Sequence, residues 1–326
     1  MSINYSVLDL APITAGGTAS ESFIHSADLA QHAEKWGYNR YWLAEHHSMP
    51  GIASSATAIV IGHIAAATNT IRVGSGGIML PNHAPLIIAE QFGTLESLFP
   101  GRIDLGLGRA PGTDQVTMRA LRRQNQSDGH DFPEQLEELR SYFKTGRKHV
   151  RAIPGEGLNT PIWLLGSSGF SARLAGDLGL PFSFASHFSP DNTMSALALY
   201  RRHFNNSGVI DKPYAMLGVN VIAADTDEEA EKLATSMQQQ FLNLIRNNTV
   251  PLQPPVDNMD ELWSDFEKAA LQQQLGASII GGPDTVKQKL KTFIEDTEAD
   301  EIMVNAQIFD HDARLRSFEI VADLMK

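Results

Sequence analysis

Cysteine is absent from the 326-residue chain, and that one absence removes disulfides, thiolate nucleophiles, iron–sulfur ligation and cysteine-linked cofactors together. Any redox chemistry must come from a bound group. Basic residues are scarce too: 26 Lys and Arg stand against 38 Asp and Glu, a formal charge of −12. The cations are scattered, so nucleic acid and anionic membrane are poor partners. No apolar run reaches the roughly 18 residues that a membrane span needs; the most apolar stretch, Ala56 to Ala67, is broken by Gly62 and His63. The first residues, MSINYSVLDLAP, have neither the basic start nor the apolar core of a signal peptide. A cytoplasmic location is the expectation.

What is present is a rhythm. Short runs of β-branched and aromatic residues mark candidate strands at Tyr5 to Leu10, Arg40 to Leu43, Ile71 to Ile78, Ile103 to Leu107, Ile162 to Leu165, Phe182 to Ala185, Met216 to Ala223 and Glu301 to Asn305. Helical patterns lie between them. Ser20 to Trp36 opens on Ser-x-x-Phe and stops at Gly37, and Ala84 to Phe99 ends at Pro100-Gly101. Asp191 to Phe204, Asp227 to Asn247 and Pro283 to about Ile294 follow the same spacing. Strand then helix, eight times over, predicts an α/β fold, a single (β/α)8 TIM barrel across residues 1–326; roughly 250 residues with insertions suffice for one.

Two segments exceed what a crossover needs. Residues 111–151 carry Asp128-Gly129 and a second helical pattern, Pro133 to Phe143; residues 248–282 carry Pro251, Pro254 and Pro255, then an amphipathic run from Trp263 to Leu275. Barrel insertions serve as lids or as surface embellishment, and the pattern fits both.

Barrel chemistry sits at the C-terminal ends of the strands. After the second strand, WLAEHHSMPG presents His46 and His47. Side chains alternate along extended backbone, so the two imidazoles should not face one ligand, and no His-x-His pair with further ligands supports a metal. Catalysis and a core-and-cap role without chemistry both fit the pair. The third strand end, RVGSGGIMLPNHAP, holds Gly74, Gly76 and Gly77, which mark a bulge or the close approach of a flat ligand. The fourth, GRIDLGLGRAPG, adds Gly106, Gly108 and then Arg109, whose guanidinium suits a phosphate or an ordinary salt bridge. In WLLGSSGFSARLAGDLGLP, Gly166, Ser167, Ser168 and Gly169 lead straight into a helix beginning near Phe170. Backbone N–H groups, hydroxyls and a helix dipole would converge there on an anion, although a plain serine N-cap uses the same letters. Neither a G-x-G-x-x-G fingerprint nor a Walker lysine is present. Together these strand ends suggest a bulky phosphorylated cofactor.

The runs RYWLAEHH, VGSGGIMLPNHAPLIIAEQFGTLESLFPGRIDLGLGRAPG, PIWLLGSSGFSARLAGDLGLP and EADEIMVNAQ resemble the bacterial luciferase-like flavin monooxygenases, especially alkanal-monooxygenase-like bacterial members. The resemblance spans nearly the whole chain. It implies reduced FMN at the C-terminal mouth, supplied by a separate flavin reductase, and transfer of oxygen from O2 to a small organic substrate, an aldehyde by default. His46 matches the family's catalytic histidine. Gly76-Gly77 falls where the family often has a non-prolyl cis peptide beneath the flavin ring. Arg109, Ser167, Ser168, Gly169 and Ser171 fall where the light-emitting luciferase subunit surrounds the flavin phosphate. Two positions depart: Ser167 replaces an acidic residue, and Gly108 replaces a cysteine near the flavin, which would enlarge the substrate side. Dark oxygenation is expected rather than light emission.

The resemblance further implies a homodimer through the helices after the second and third strands, the first of which, SSATAIVIGHIAAAT, is rich in Ala and Gly. Residues 248–282 match a mobile loop expected to shield the site from water. Three rivals stand beside the FMN monooxygenase. One is an oxidoreductase using deazaflavin F420, which transfers hydride and ignores O2. The others are a flavin-binding protein without catalysis and a metal-dependent hydrolase.

Overall fold

The computed structural model describes residues 3–110, 113–121, 131–146 and 149–326. Its strands are β1 Asn4–Asp9, β2 Arg40–Leu43, β3 Arg72–Ser75, β4 Ile78–Met79, β5 Ile103–Gly108, β6 Ile162–Gly166, β7 Phe182–Phe184, β8 Ala215–Ala223, β9 Ile279–Gly281 and β10 Glu301–Asn305. The order β10-β1-β2-β3-β5-β6-β7-β8 closes on itself through β10 and β8. All these pairs are parallel. This is the eight-stranded TIM barrel that the rhythm predicted, with the eight strands where the runs stand.

Two details differ from the sequence pattern. The third run is split at the cis peptide Gly76-Gly77, after which β4 pairs with β5 at Ile78 and Leu107. A further strand, β9, lies within 248–282 and extends the upper end of β8 at Val221 and Ile279. Three residues are too few to carry a period, so β9 is invisible before its partner is in place.

The helices follow their local signals. Ala19–Trp36 is capped by Thr18, which forms a reciprocal box with Glu21, and closed by Gly37 in the left-handed region at φ 90°. The true cap lies two residues before the predicted start. Thr57–Ala67, Pro85–Leu98, Gly169–Leu178, Thr193–His203, Asp227–Ile245, Pro283–Thr297 and His311–Met325 complete the outer ring. In the region 111–151 the helix Phe132–Phe143 forms as expected; Pro111, Gly112, Asp128 and Gly129 lie outside the described residues. Among the described residues no helix is long and apolar enough to cross a membrane.

The segment 248–282, expected to shield the site, packs against the barrel. Leu252 is fully buried, its N–H donates to the Ile13 carbonyl at 2.9 Å, and its carbonyl accepts from Ala15 N–H at 2.8 Å. Met259 and Leu271 build a small core against Leu242 of the helix Asp227–Ile245. These anchors fasten it across the loop that follows β1.

Strand alternation sorts the side chains into two cores. Val7, Tyr41, Leu43, Val73, Leu105, Leu164, Leu217 and Val304 point outward into the large core shared with the helices. Leu8, Trp42, Ala44, Trp163, Met216 and Met303 point inward as a separate cluster, with the rings of Trp42 and Trp163 edge to face at 5.2 Å. Below them the barrel floor is charged. Arg40 bridges Asp104 at 2.6 Å and Glu301 at 3.1 Å, Arg72 grips Asp104 at 2.6 Å, and both carboxylates are fully buried. Trp42 Nε1 and the Tyr214 hydroxyl donate to the same two acids at 3.1 Å and 2.9 Å.

Removing one partner of such a network leaves a buried charge unpaired. Arg40→Met is therefore expected to destabilise the fold by about 3–5 kcal/mol, and Glu301→Gln in the same background to restore part of the loss. Urea unfolding of the two variants checks this; a loss under about 1 kcal/mol, the scale of an exposed pair, would show that the floor does not hold the barrel.

Candidate active site

Continuing the inward series Arg40, Trp42 and Ala44 brings His46 to the mouth and sends Glu45 and His47 to the other side of the strand. The backbone of His46 is held by its N–H to the Ser54 carbonyl at 3.1 Å. Its ring lies near His187, which follows β7; burial and then the charge of His46 pull His187 down to about 4, with the Gly218 backbone opposing them. His187 is thus neutral at neutral pH.

On the other side Glu45 is a hub. Its carboxylate accepts from His47 Nε2 at 2.8 Å, His83 Nε2 at 2.9 Å, the Met79 N–H at 3.0 Å and Asn82 Nδ2 at 3.3 Å. The Glu45 N–H also reaches the Gly77 carbonyl at 3.3 Å, so one residue joins β2 to the segment around the cis peptide. Glu45, His47 and His83 place three ligand-type atoms within 4.8 Å of one another, a group the sequence did not reveal. Their separations are those of hydrogen bonds. Two ligands at about 2.1 Å from a tetrahedral ion would stand roughly 3.4 Å apart.

The glycines turn out to serve the strands first. A Cβ on Gly76 would come 2.7 Å from Leu8 Cδ1, and one on Gly77 2.8 Å from the Gly106 carbonyl oxygen. On Gly108 it would meet the Met79 sulfur at 2.8 Å, so Met79 occupies the space that the missing side chain opens.

At β6, Ser168 is the N-cap of the helix Gly169–Leu178, and its side chain makes no capping hydrogen bond. Ser171, in the first turn, is buried and packs against Gly166, whose Cβ would come 2.6 Å from that of Ser171. The Ser167 carbonyl accepts from the Ser189 hydroxyl at 3.1 Å. Arg109 lies with its guanidinium 4.2 Å from the ring centroid of Phe170, which brings a cation from β5 to the start of this helix. No carboxylate among the described residues pairs with it. A guanidinium, an unengaged cap hydroxyl and a ten-residue helix N-terminus together fit a phosphate group.

The structure therefore gathers Arg109, Ser168, Gly169 and Ser171 at the ends of β5 and β6, with Gly76-Gly77 beside β5 and His46 beyond β2. Sequence reasoning missed Glu45, His83, Phe170, His187 and Gln307. An acid-x-His alternation, Glu45 and His47, was a possible signal; the other four acquire meaning only from neighbours far away in the chain.

A closed parallel barrel with imidazole and an anion-receptive turn at its C-terminal mouth belongs to the class of barrel enzymes. The chain belongs to the luciferase-like monooxygenase family, whose model matches residues 3–301, and it is accordingly a monooxygenase. It is 65% identical over 324 residues to the uncharacterised protein YvbT of Bacillus subtilis (strain 168), covering 98% of this chain and 96% of the relative. A luciferase-like monooxygenase of Escherichia coli (strain K12) is 57% identical, with 99% and 97% covered. The N-acetyl-S-alkylcysteine monooxygenase of Bacillus subtilis (strain 168) is 39% identical over 72% of each chain. Among solved structures, apo-MsnO8 superposes with a TM-score of 0.87 at 33% identity, covering 99% and 98% of the two chains. The oxygenating constituent of Pseudomonas putida 3,6-diketocamphane monooxygenase, in complex with FMN, shares the fold at TM-score 0.74 and 18% identity, covering 99% and 97%. An F420-dependent secondary alcohol dehydrogenase shares it at 0.73 and 13%, covering the whole of both chains.

Glu45 yields a test of the site's architecture. Burial alone would raise its carboxyl, but the hydrogen bonds from His47 and His83, the charge of His83 and the Met79 N–H hold it down at about 2. A carboxyl depressed in the folded state contributes stability that is complete above its ordinary value of 4.5 and is lost as pH falls from there through about 2. Glu45→Gln is expected to cost about 3 kcal/mol at neutral pH and to flatten the acid side of the stability profile. Urea unfolding across the acid range measures it; an unchanged acid slope in the variant would contradict the assignment.

Proposed function

We propose that the mouth binds reduced FMN, delivered by a separate flavin reductase, and uses O2 to oxygenate a small organic substrate, with an aldehyde as the family's usual example. The observation that carries this is Arg109 over Phe170 at the uncapped start of the helix Gly169–Leu178. Arg109, Ser168, Gly169 and the neighbouring Ser167 and Ser171 would hold the phosphate; Gly76, Gly77 and Gly108 would lie along the flavin ring. When bound, the reduced flavin supplies the two electrons with which one oxygen atom of O2 goes to the substrate and the other leaves as water. His46, at the end of the inward series along β2, supplies the proton traffic through its imidazole. Glu45 positions it from behind through the β2 backbone. The chain has no dinucleotide fingerprint, which supports an external reductase.

The relative named for N-acetyl-S-alkylcysteines supports oxygenation, and the F420-dependent dehydrogenase names the rival cofactor. Titration with FMN, reduced FMN and F420, followed by mixing with O2 in a stopped-flow cell, separates them. A flavin absorbance transient that is neither reduced nor oxidised FMN is expected, changed in rate by a factor of about 100 or more in His46→Ala. Turnover with NADH should require added reductase. Tight F420 binding without O2 reactivity, or FMN binding without any, would defeat the proposal.

We further propose a homodimer through the helices Thr57–Ala67 and Pro85–Leu98. Ile59, Ile87 and Leu98 on them are 75%, 46% and 64% exposed, an apolar surface that a second copy would cover. Sedimentation at micromolar concentration is expected to give a dimer, weakened about tenfold or more by Ile59→Glu; a monomeric wild type refutes it.

A further inference from the structure

One buried polar atom at the mouth, Oε1 of Gln307, has no hydrogen-bond partner, and the ring of His187 is held by a hydrogen bond with the Gly218 backbone. The two residues flank one pair of strands. Asn220 of β8 and Asn305 of β10 stand opposite each other in register. Asn220 Nδ2 donates to the His187 carbonyl at 2.7 Å, and Gln307 Nε2 donates to Asn305 Oδ1 at 3.4 Å.

The orientation of Gln307 is dictated by its neighbours. Asn305 Nδ2 donates to the Leu8 carbonyl at 3.2 Å, and a carbonyl can only accept. Asn305 therefore turns its oxygen to Gln307, and Gln307 answers with its amide nitrogen. This leaves Oε1 of Gln307 as an acceptor, in a residue only 2% exposed. His187 is packed over Gly218, where a Cβ would come 2.4 Å from Nδ1, and against the Phe188 ring at 4.7 Å. One ring nitrogen donates to the Gly218 backbone, so the neutral imidazole offers an acceptor and no charge. Gln307 follows β10, across the barrel from β5 and Arg109, whereas His187 follows β7, the neighbour of β6.

We propose that Gln307 and His187 form the polar wall of the substrate pocket and select an uncharged substrate carrying an N–H or O–H donor, an amide or an alcohol, over a carbonyl compound without one. This rests on the monooxygenase reading above and narrows its substrate. A buried acceptor that meets no donor is penalised on every binding event, so a simple aldehyde leaves Oε1 unmet whereas an amide N–H satisfies it. A charged group gains nothing from the wall, because neither residue carries a counter-charge.

Octanamide and nonan-2-one test this, since they differ only in NH2 against CH3. Isothermal titration of the wild type, with and without FMN, is expected to show octanamide binding about tenfold or more tighter. In Gln307→Leu the preference should fall below about threefold. His187→Phe, which keeps a ring over Gly218, should weaken octanamide and spare nonan-2-one; it also decides the matter if Gln307→Leu does not fold. Equal binding of the two probes by the wild type, or a preference that survives both substitutions, overturns the proposal. So does a tenfold loss of FMN affinity in Gln307→Leu, which would give Oε1 to the flavin. Because the probes are compared with and without FMN, failure of FMN to bind counts against the cofactor reading alone.

Discussion

Buried charge on the floor of the barrel is the constraint on which the rest is stacked. Asp104 and Glu301 are shut away from water, and the guanidinium groups of Arg40 and Arg72, with the donors of Trp42 and Tyr214, make that tolerable. The pairing ties β2, β3, β5 and β10 at one level, which sets their stagger. Above this floor Trp42 and Trp163 fill the interior. The strands beside them lie so close that a Cβ on Gly106 would come 2.1 Å from the Ser75 carbonyl oxygen, and one on Gly74 2.5 Å from that of Asp104. Glycines that suggest room for a ligand are thus, in the first place, room for the neighbouring strand.

The mouth divides by alternation along β2. His46 continues the inward series, whereas Glu45 and His47 face away from it, where Glu45 gathers donors from His47, Met79, Asn82 and His83. His46 and the Glu45 hub occupy opposite sides of the same three residues. Around the rim, the cation and helix start lie at β5 and β6, and the uncharged Asn220, Asn305, Gln307 and His187 lie at β7, β8 and β10.

Most of this architecture was legible in the sequence because barrel strands are buried on both faces and read as continuous apolar runs. Arg40 to Leu43 and Glu301 to Asn305 were placed to the residue. β4 and β9 were not, being two and three residues long and defined by their partners. His46, Arg109 and Ser168 could be singled out as candidates because chemistry in this fold gathers at strand ends. His83 could not, since it matters only through Glu45, 38 residues earlier. Phe170 looked like any apolar helix residue until Arg109 was laid over its ring.

By itself the sequence determined the eightfold alternation of strand and helix, the absence of thiol chemistry and the family to which the chain belongs. These are properties of composition, backbone period and local motif, readable without knowing what lies across the barrel. The tertiary structure alone decided which histidine faces inward beside His187, what fills the space above each glycine, and which way the amide of Gln307 turns. Each of these depends on groups brought together by closure of the sheet, Leu8 with Asn305 or Glu45 with His83, and no local pattern encodes such a partner.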